Sequence, residues 1–226
     1  MDNPQIRQTK DGSHTLWLPE LEESYHSIHG AVTESKWVFI ENGLDYFCQI
    51  TGNKEVNILE VGFGTGLNAL MTCNYSQVKK QRIKYSTLEP FPLATELTKQ
   101  LNYTDCLDHP QVEFWFQELH MINWGQIEWL NPYFSILKTH ERIQEHTAPG
   151  QYDICYFDAF APGKQPEIWD IGVLETVKRG LRRPGMLVTY CAQGQFKRNL
   201  MQLGFMVEAL PGPPGKKEMT RATIDS

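Results

Sequence analysis

The sequence lacks any apolar run close to the roughly 20 residues that a membrane-spanning helix requires. Its first residues, MDNPQIRQTKDG, also lack the apolar core of a secretory signal. The five cysteines are scattered and form no C-x-x-C pair, which disfavours both a disulfide scaffold and a zinc site and fits a reducing compartment. We therefore expect a cytoplasmic protein without a membrane partner or a metal site.

Several catalytic signatures are missing as well. The sequence has no G-x-S-x-G elbow, which disfavours a serine hydrolase of that type. It has no G-x-x-x-x-G-K-[ST] loop, which disfavours a nucleotide hydrolase that grips phosphates. His26 and His29 form an H-x-x-H pair. No cluster of further metal-ligating residues accompanies the pair, which disfavours a metal site there.

The charge is distributed unevenly along the chain. The formal net charge is -6, which by itself argues against a nucleic-acid partner. Residues 178–226, however, contain nine Lys and Arg against three Asp and Glu. Such an asymmetry points to an anionic partner, although a solvated basic surface would give the same pattern.

From residue 55 onward, strand and helix signals alternate, which predicts an α/β fold with a doubly wound, mostly parallel sheet of seven strands. We expect residues 55–226 to form the main domain and residues 1–54 to form a small N-terminal extension packed on its core. The predicted strands of the sheet are 56–61, 82–88, 134–137, 152–157, 186–191, 205–210 and 218–224. The predicted helices are 67–75, 93–101, 112–120, 166–178 and 195–203. The extension is predicted to contain strands 15–18 and 36–40.

A glycine-rich turn follows the first of these strands and opens a helix. Glycines reach positive φ and let a ligand touch the backbone directly. The spacing lacks the last glycine of a dinucleotide fingerprint, because Leu67 stands at that position. With Glu60 before Gly62, Gly64 and Gly66, the turn instead resembles motif I of S-adenosylmethionine-dependent methyltransferases, which implies that these four residues lie at the cofactor.

Glu89 stands at the end of the next strand, 23 residues after Gly66. A carboxylate at this place in a doubly wound fold can accept hydrogen bonds from both hydroxyls of a ribose. A surface glutamate that caps the following helix would look the same in the sequence. The co-occurrence with the glycine turn favours cofactor binding.

Asp158 follows the strand 152–157, at the edge of the sheet where open α/β folds bind ligands. Its neighbours Phe157 and Phe160 are apolar, and burial among apolar groups raises the pKa of a carboxyl group. An aspartate here could accept an N–H of a substrate amine, orient its lone pair and take up its proton. The alternative is a turn aspartate that binds its own backbone.

Four segments together resemble the methyltransferase module of the MnmC-type tRNA modification enzymes. The resemblance covers roughly residues 13–222 and is carried by ESYHS with the following ESKWVF (23–39), LEPFPL (88–93), DAFAPGKQP (158–166) and the tail GF…PGPPGKKEM (204–219). It implies methylation of the primary amine of 5-aminomethyl-(2-thio)uridine at the tRNA wobble position, with S-adenosylmethionine as cofactor. It also implies Asp158 as the catalytic residue, and Glu89 with the glycines as cofactor contacts.

The resemblance implies further contacts to the tRNA. Tyr25 and Phe160 are candidates to stack on a flipped-out uracil, although core packing would equally explain them. Lys216 and Lys217 belong to the basic tail that would face the tRNA. The acidic residue that meets adenine in the family has only Glu141 as a counterpart here.

Longer members of this family carry a flavin-dependent oxidase domain. The chain has 226 residues and no second glycine fingerprint, so we expect no flavin and no oxidase activity. Two other functions remain open from the sequence. One is an S-adenosylmethionine-dependent N-methyltransferase that acts on a small-molecule or protein amine, and the other is a non-catalytic tRNA-binding module.

Overall fold

A computed structural model of the protein describes residues 4–225. Its strands are β1 (Gln5–Gln8), β2 (His14–Leu18), β3 (Glu23–Ser24), β4 (Glu55–Val61), β5 (Arg82–Leu88), β6 (Ile127–Asn131), β7 (Phe134–Thr139), β8 (Tyr152–Phe157), β9 (Leu181–Thr189), β10 (Met206–Pro211) and β11 (Glu218–Ile224). Its α-helices are α1 (Ala31–Ser35), α2 (Tyr46–Thr51), α3 (Leu67–Lys79), α4 (Thr95–Thr98), α5 (Val112–Met121), α6 (Ile171–Gly180) and α7 (Gly194–Gln202). A π-helix spans Lys36–Asp45, and two 3-10 helices span Tyr103–Cys106 and Pro166–Trp169.

The main sheet has the strand order β10-β11-β9-β8-β4-β5-β7-β6. The five central strands run parallel, while β11, β10 and β6 are antiparallel to their inner neighbours. This confirms the predicted α/β fold with a mostly parallel sheet. The sheet has eight strands instead of seven, because β6, which was not predicted, pairs with β7 as an antiparallel edge strand; its Ile127 and Trp129 are mostly exposed.

Both faces of β8 and of the second half of β4 are buried, which explains their nearly continuous apolar runs. In β4 and β8, Ile58 and Ile154 are register partners and belong to the core on one face. The next pair, Leu59 and Cys155, belongs to the core on the other face, because successive side chains of a strand point to opposite sides. Helices α3 and α5 cover the first face, and α6 and α7 cover the second.

Three local predictions were wrong. The segment 36–40 is part of the π-helix, whose Gly43 packs against Val188 and Tyr156; a short apolar run does not distinguish a strand from a buried helix. The predicted helix 93–101 is a single turn, because Ala94 has an extended backbone. The predicted helix 166–178 is divided at Asp170, which is also extended.

Residues of the first 54 positions share the core of the main sheet. Leu16, Phe39 and Phe47 are buried in the same cluster as Ile58. A boundary at residue 54 therefore stays a prediction. Within residues 4–225, no helix combines the length and the apolar character needed to cross a membrane.

Candidate active site

A cavity of about 470 Å³ opens at the carboxyl ends of β4, β5 and β8. Gly62, Glu89 and Asp158, which directly follow these three strands, all line it. The strand ends are tied together, since the Gly62 N–H donates to the Leu88 carbonyl (3.0 Å) and the Asp158 N–H donates to the Val61 carbonyl (3.2 Å). This is the edge at which open α/β sheets bind ligands.

The glycine turn depends on residues without a side chain. Gly62 has a φ of 94°, and a Cβ atom there would lie 2.9 Å from the carbonyl oxygen of Asp158. Gly64 has a φ of 50°, and a Cβ atom there would lie 3.0 Å from the ring of Tyr25. The turn therefore brings backbone to the cavity wall at positions that larger residues would block.

Glu89 holds this turn in place. One of its carboxylate oxygens accepts the Gly64 N–H (3.0 Å), and the other accepts the Phe91 N–H (2.9 Å). The side chain is half-buried and lines the cavity. Glu89 therefore links the first two strand ends of the site.

Glu60 is not part of the cavity wall. Its side chain is completely buried, and its Oε2 accepts the hydroxyl of Thr87 at 2.7 Å. Its Oε1 has no hydrogen-bond partner within residues 4–225. Burial raises the pKa of this carboxyl group to about 8, so Glu60 is largely protonated at neutral pH. The structure thus places it beneath the glycine turn, where it can act on a cofactor only through the turn.

Asp158 is held by a chain of two polar side chains. The Asn68 amide donates to Asp158 Oδ2 at 2.7 Å, and the Ser35 hydroxyl donates to Asn68 Oδ1. Burial raises the pKa of Asp158 to about 7, and the nearby Glu34 carboxylate adds to this, while Asn68 and Lys216 act in the opposite direction. At neutral pH the carboxyl group can therefore both accept and release a proton.

Glu34, which no sequence pattern predicted as a site residue, lines the same cavity and is 5% exposed. Its carboxylate accepts the Ser27 N–H (3.0 Å) and the Lys216 Nζ (2.6 Å). Lys216 Nζ also lies 3.7 Å from the centroid of the Tyr190 ring. The 182 positions between Glu34 and Lys216 explain why no spacing in the sequence indicated this pair.

The other predicted substrate residues are divided between the cavity and the surface. Tyr25 and Phe160 both line the cavity and contact each other edge to face, with ring centroids 5.0 Å apart. Burial and the Glu89 carboxylate raise the pKa of Tyr25, which keeps its phenol neutral. Lys217 is exposed outside the main cavity, in a shallow pocket that shares Lys216 with it.

Glu141 lies at the rim of the cavity and is exposed. Its Oε2 lies 2.7 Å from His146 Nδ1, so part of its hydrogen-bonding capacity is already used. Neighbouring Ile143 is buried and supplies apolar wall. Within residues 4–225, no three His, Cys, Asp or Glu side chains come together in a way that could hold a metal ion.

Solved structures of other proteins share this fold. MnmC2 from Aquifex aeolicus superposes with a TM-score of 0.78 at 22% identity, covering 100% of this chain and 71% of that one. Spermidine synthase from Thermotoga maritima superposes with a TM-score of 0.56 at 10% identity, covering 98% of this chain and 72% of that one. At these identities the likeness concerns the fold.

Sequence comparison finds relatives that match most of this chain. Residues 126–225 match a family described as S-adenosyl-L-methionine-dependent methyltransferase. The "tRNA 5-methylaminomethyl-2-thiouridine biosynthesis bifunctional protein MnmC" of Leptospira interrogans is 32% identical over 209 residues, or 88% of this chain and 32% of the relative. The protein of the same name from Paracidovorax citrulli is 28% identical over 227 residues, or 93% of this chain and 34% of the relative. The chain thus spans about a third of these relatives' length. The resemblance inferred from the motifs is confirmed, because MnmC proteins match this chain over about 90% of its length and their solved relative MnmC2 shares its fold.

Proposed function

We propose that this protein methylates the primary amine of 5-aminomethyl-(2-thio)uridine at the wobble position of tRNA. The observation that carries the proposal is the position of Asp158. One carboxylate oxygen is bound by Asn68, and the side chain lines the same cavity as the glycine turn. The name of the MnmC relatives, which refers to tRNA 5-methylaminomethyl-2-thiouridine biosynthesis, supports the substrate.

The glycine turn and Glu89 fit the cofactor. Gly62 and Gly64 would hold the amino-acid part of S-adenosylmethionine against backbone, and Glu89 would meet the ribose hydroxyls. Gly66 is outside the cavity wall, with His120 and Phe63 as its neighbours, and would act by shaping the turn. The hydrogen bond from the Gly64 N–H to Glu89, which holds the turn and the carboxylate together in the cavity wall, supports this assignment. When bound, the cofactor supplies an electrophilic methyl group on a sulfonium.

Asp158 performs the proton chemistry in this proposal. An alkylamine is protonated in neutral water and must lose a proton before its nitrogen has a free lone pair. Asp158 accepts an N–H of the amine, takes up that proton and orients the lone pair. A pKa of about 7 suits this role, because the carboxylate is basic enough to take the proton and can release it afterwards.

The remaining residues would bind the nucleic acid. Tyr25 and Phe160 present aromatic rings at the cavity, and RNA-binding proteins commonly stack unpaired bases on such rings. Lys216 and Lys217 lie on the loop between β10 and β11, where a cationic group can approach the phosphates of the same tRNA.

The direct test is methyl transfer in vitro. The purified protein is incubated with S-adenosylmethionine and tRNA that carries 5-aminomethyl-2-thiouridine, and the nucleosides are analysed by mass spectrometry. We expect one added methyl group on the side-chain nitrogen, and no methylation of tRNA with an unmodified wobble uridine. Cofactor binding without transfer to either tRNA would contradict the proposal and favour a small-molecule or protein amine.

Replacing Asn68 by Ala should move the pH–rate profile of this reaction. The Asn68 N–H stabilises the charged form of Asp158, so its loss raises the pKa of Asp158 above about 7. Less carboxylate is then ionised at neutral pH, and the rate should fall there by about fivefold for the first unit of the shift and about tenfold for each further unit. It should recover as the pH rises.

The matched control for Asn68→Ala is Asn53→Ala. Asn53 is an exposed loop residue, and its contact to Gln81 uses only the backbone carbonyl, which the substitution keeps. A profile of Asn68→Ala that coincides with that of the control would show that Asn68 does not position Asp158.

A further inference from the structure

Glu34 and Lys216 form an ion pair inside the cavity. The Glu34 side chain is almost fully buried, whereas 31% of the Lys216 side chain is exposed. Lys216 belongs to the loop between β10 and β11 and reaches into the cavity from the surface. The pair therefore joins a fixed buried carboxylate to a lysine that has solvent access.

Two groups contact the Lys216 ammonium, a carboxylate and an aromatic ring. Glu34 Oε2 accepts its hydrogen bond at 2.6 Å, and the Tyr190 ring lies 3.7 Å away, within the range of a cation–π contact. The Tyr190 ring is itself fixed, because its hydroxyl donates to the Ala159 carbonyl at 2.8 Å. A carboxylate beside an aromatic face is a site suited to a primary ammonium group.

The buried carboxylate of Glu34 requires a cation beside it. Glu34 is buried near a second carboxyl group, Asp158, and removing one member of a buried ion pair leaves a costly unpaired charge. Any group that displaces Lys216 must therefore bring its own positive charge. The aminomethyl group of the proposed substrate does so, because it is a primary ammonium like the head of lysine.

We propose that Glu34 and Tyr190 form a primary-ammonium subsite, which Lys216 fills in the free protein and the aminomethyl group of the substrate fills in the complex. This inference rests on the proposed function. The subsite holds the ammonium beside Asp158, which then removes its proton. Lys216 leaves the subsite when the substrate enters and becomes free to pair with a phosphate of the tRNA.

The subsite also explains how the protein would distinguish a uridine with a charged substituent from one with an uncharged substituent. A hydroxymethyl or methyl group at the same position of the uridine brings no positive charge and cannot replace the lysine. An uncharged uridine therefore meets an occupied subsite, whereas the aminomethyl form competes with Lys216 for it. Selection against uridines without the amine is thus built into the resting state.

The test compares Lys216→Met with Lys54→Met. Methionine keeps much of the lysine stem and removes the ammonium, and Lys54 is an exposed loop lysine outside the cavity. The ligands are n-propylammonium chloride, propan-1-ol and the free nucleoside 5-aminomethyluridine, which carry no phosphate. Binding is measured by calorimetry in the presence of S-adenosylhomocysteine.

We expect Lys216→Met to bind n-propylammonium and the nucleoside more tightly than the unmodified protein, on the order of tenfold, because the internal competitor is gone. Propan-1-ol should not gain affinity, and Lys54→Met should behave like the unmodified protein. The additional substitution Glu34→Gln should abolish the gain. If Lys216→Met binds the ammonium ligands no better than the unmodified protein, the subsite does not exist.

Two further measurements separate this inference from the proposed function. A thermal melt of Lys216→Met shows whether the folded protein persists, and the double variant Lys216→Met/Glu34→Gln, which has no unpaired buried charge, provides a second folded reference. If tRNA is not methylated but the ammonium ligands gain affinity as stated, the proposed substrate is wrong and the subsite stands. If tRNA is methylated without that gain, only the subsite is wrong.

Discussion

Replacing Asp158 by Asn should reduce methyl transfer to tRNA by about 10²- to 10⁴-fold, the usual contribution of a positioned acid–base group, while S-adenosylmethionine affinity stays nearly unchanged. The new amide matches the carboxyl group in size, so Asn68 still finds an oxygen acceptor at the position of Oδ2. Its other end then presents an NH₂ group to the cavity. A donor there can neither accept the N–H of the substrate amine nor take its proton.

The measurement is single-turnover methyl transfer, with cofactor affinity determined separately by calorimetry. Asp108→Asn is the matched control, because Asp108 is exposed and lies outside the cavity wall. If Asp158→Asn turns over at the rate of this control, the catalytic assignment is wrong. A loss of cofactor affinity equal to the loss of rate would instead mean that the carboxylate contributes to cofactor binding.

The second large effect is expected from Gly62→Ala. The added Cβ atom would lie 2.9 Å from the Asp158 carbonyl oxygen, and a φ of 94° is strained for any residue with a side chain. The backbone at residue 62 or at Asp158 must therefore move, and backbone strain of this kind costs about 1–3 kcal/mol. We expect a lower melting temperature and a cofactor affinity reduced by about tenfold or more.

Gly172→Ala separates this effect from the general consequence of adding a methyl group. Gly172 lies in the first turn of α6, where a Cβ atom meets nothing within 4 Å. Alanine favours a helix more than glycine does, so this control should be neutral or slightly stabilising. Unchanged cofactor affinity in a folded Gly62→Ala protein would show that the turn does not hold the cofactor.

The strands inside the main sheet were the most predictable part of the fold. Residues 82–88, 152–157 and 218–224 were predicted with the bounds that the structure shows. Their sequences are rich in apolar and β-branched residues, since these strands lie within the main sheet and have a neighbour on each side. The edge strand β6 has only five residues and a neighbour on one side, and it was missed.

The candidate site was predictable from the residues that follow a strand directly and from the family motifs that contain Tyr25, Phe160 and Lys216. Gly62, Glu89 and Asp158 each occupy such a place, and the topology of a parallel sheet brings these places together. Glu34 and Asn68 act through contacts between distant parts of the chain. A single sequence contains no local pattern for a contact of this kind, so only the three-dimensional structure reveals it.

The pairing of Glu34 with Lys216 has a consequence for the order in which the site can form during synthesis. The glycine turn, Glu89 and Asp158 leave the ribosome well before the loop between β10 and β11. A nascent chain that stops at residue 205 contains all three strand ends, but it lacks the lysine that neutralises the buried carboxylate. The cavity is therefore complete only once the hairpin of β10 and β11 has been synthesised and docks beside β9.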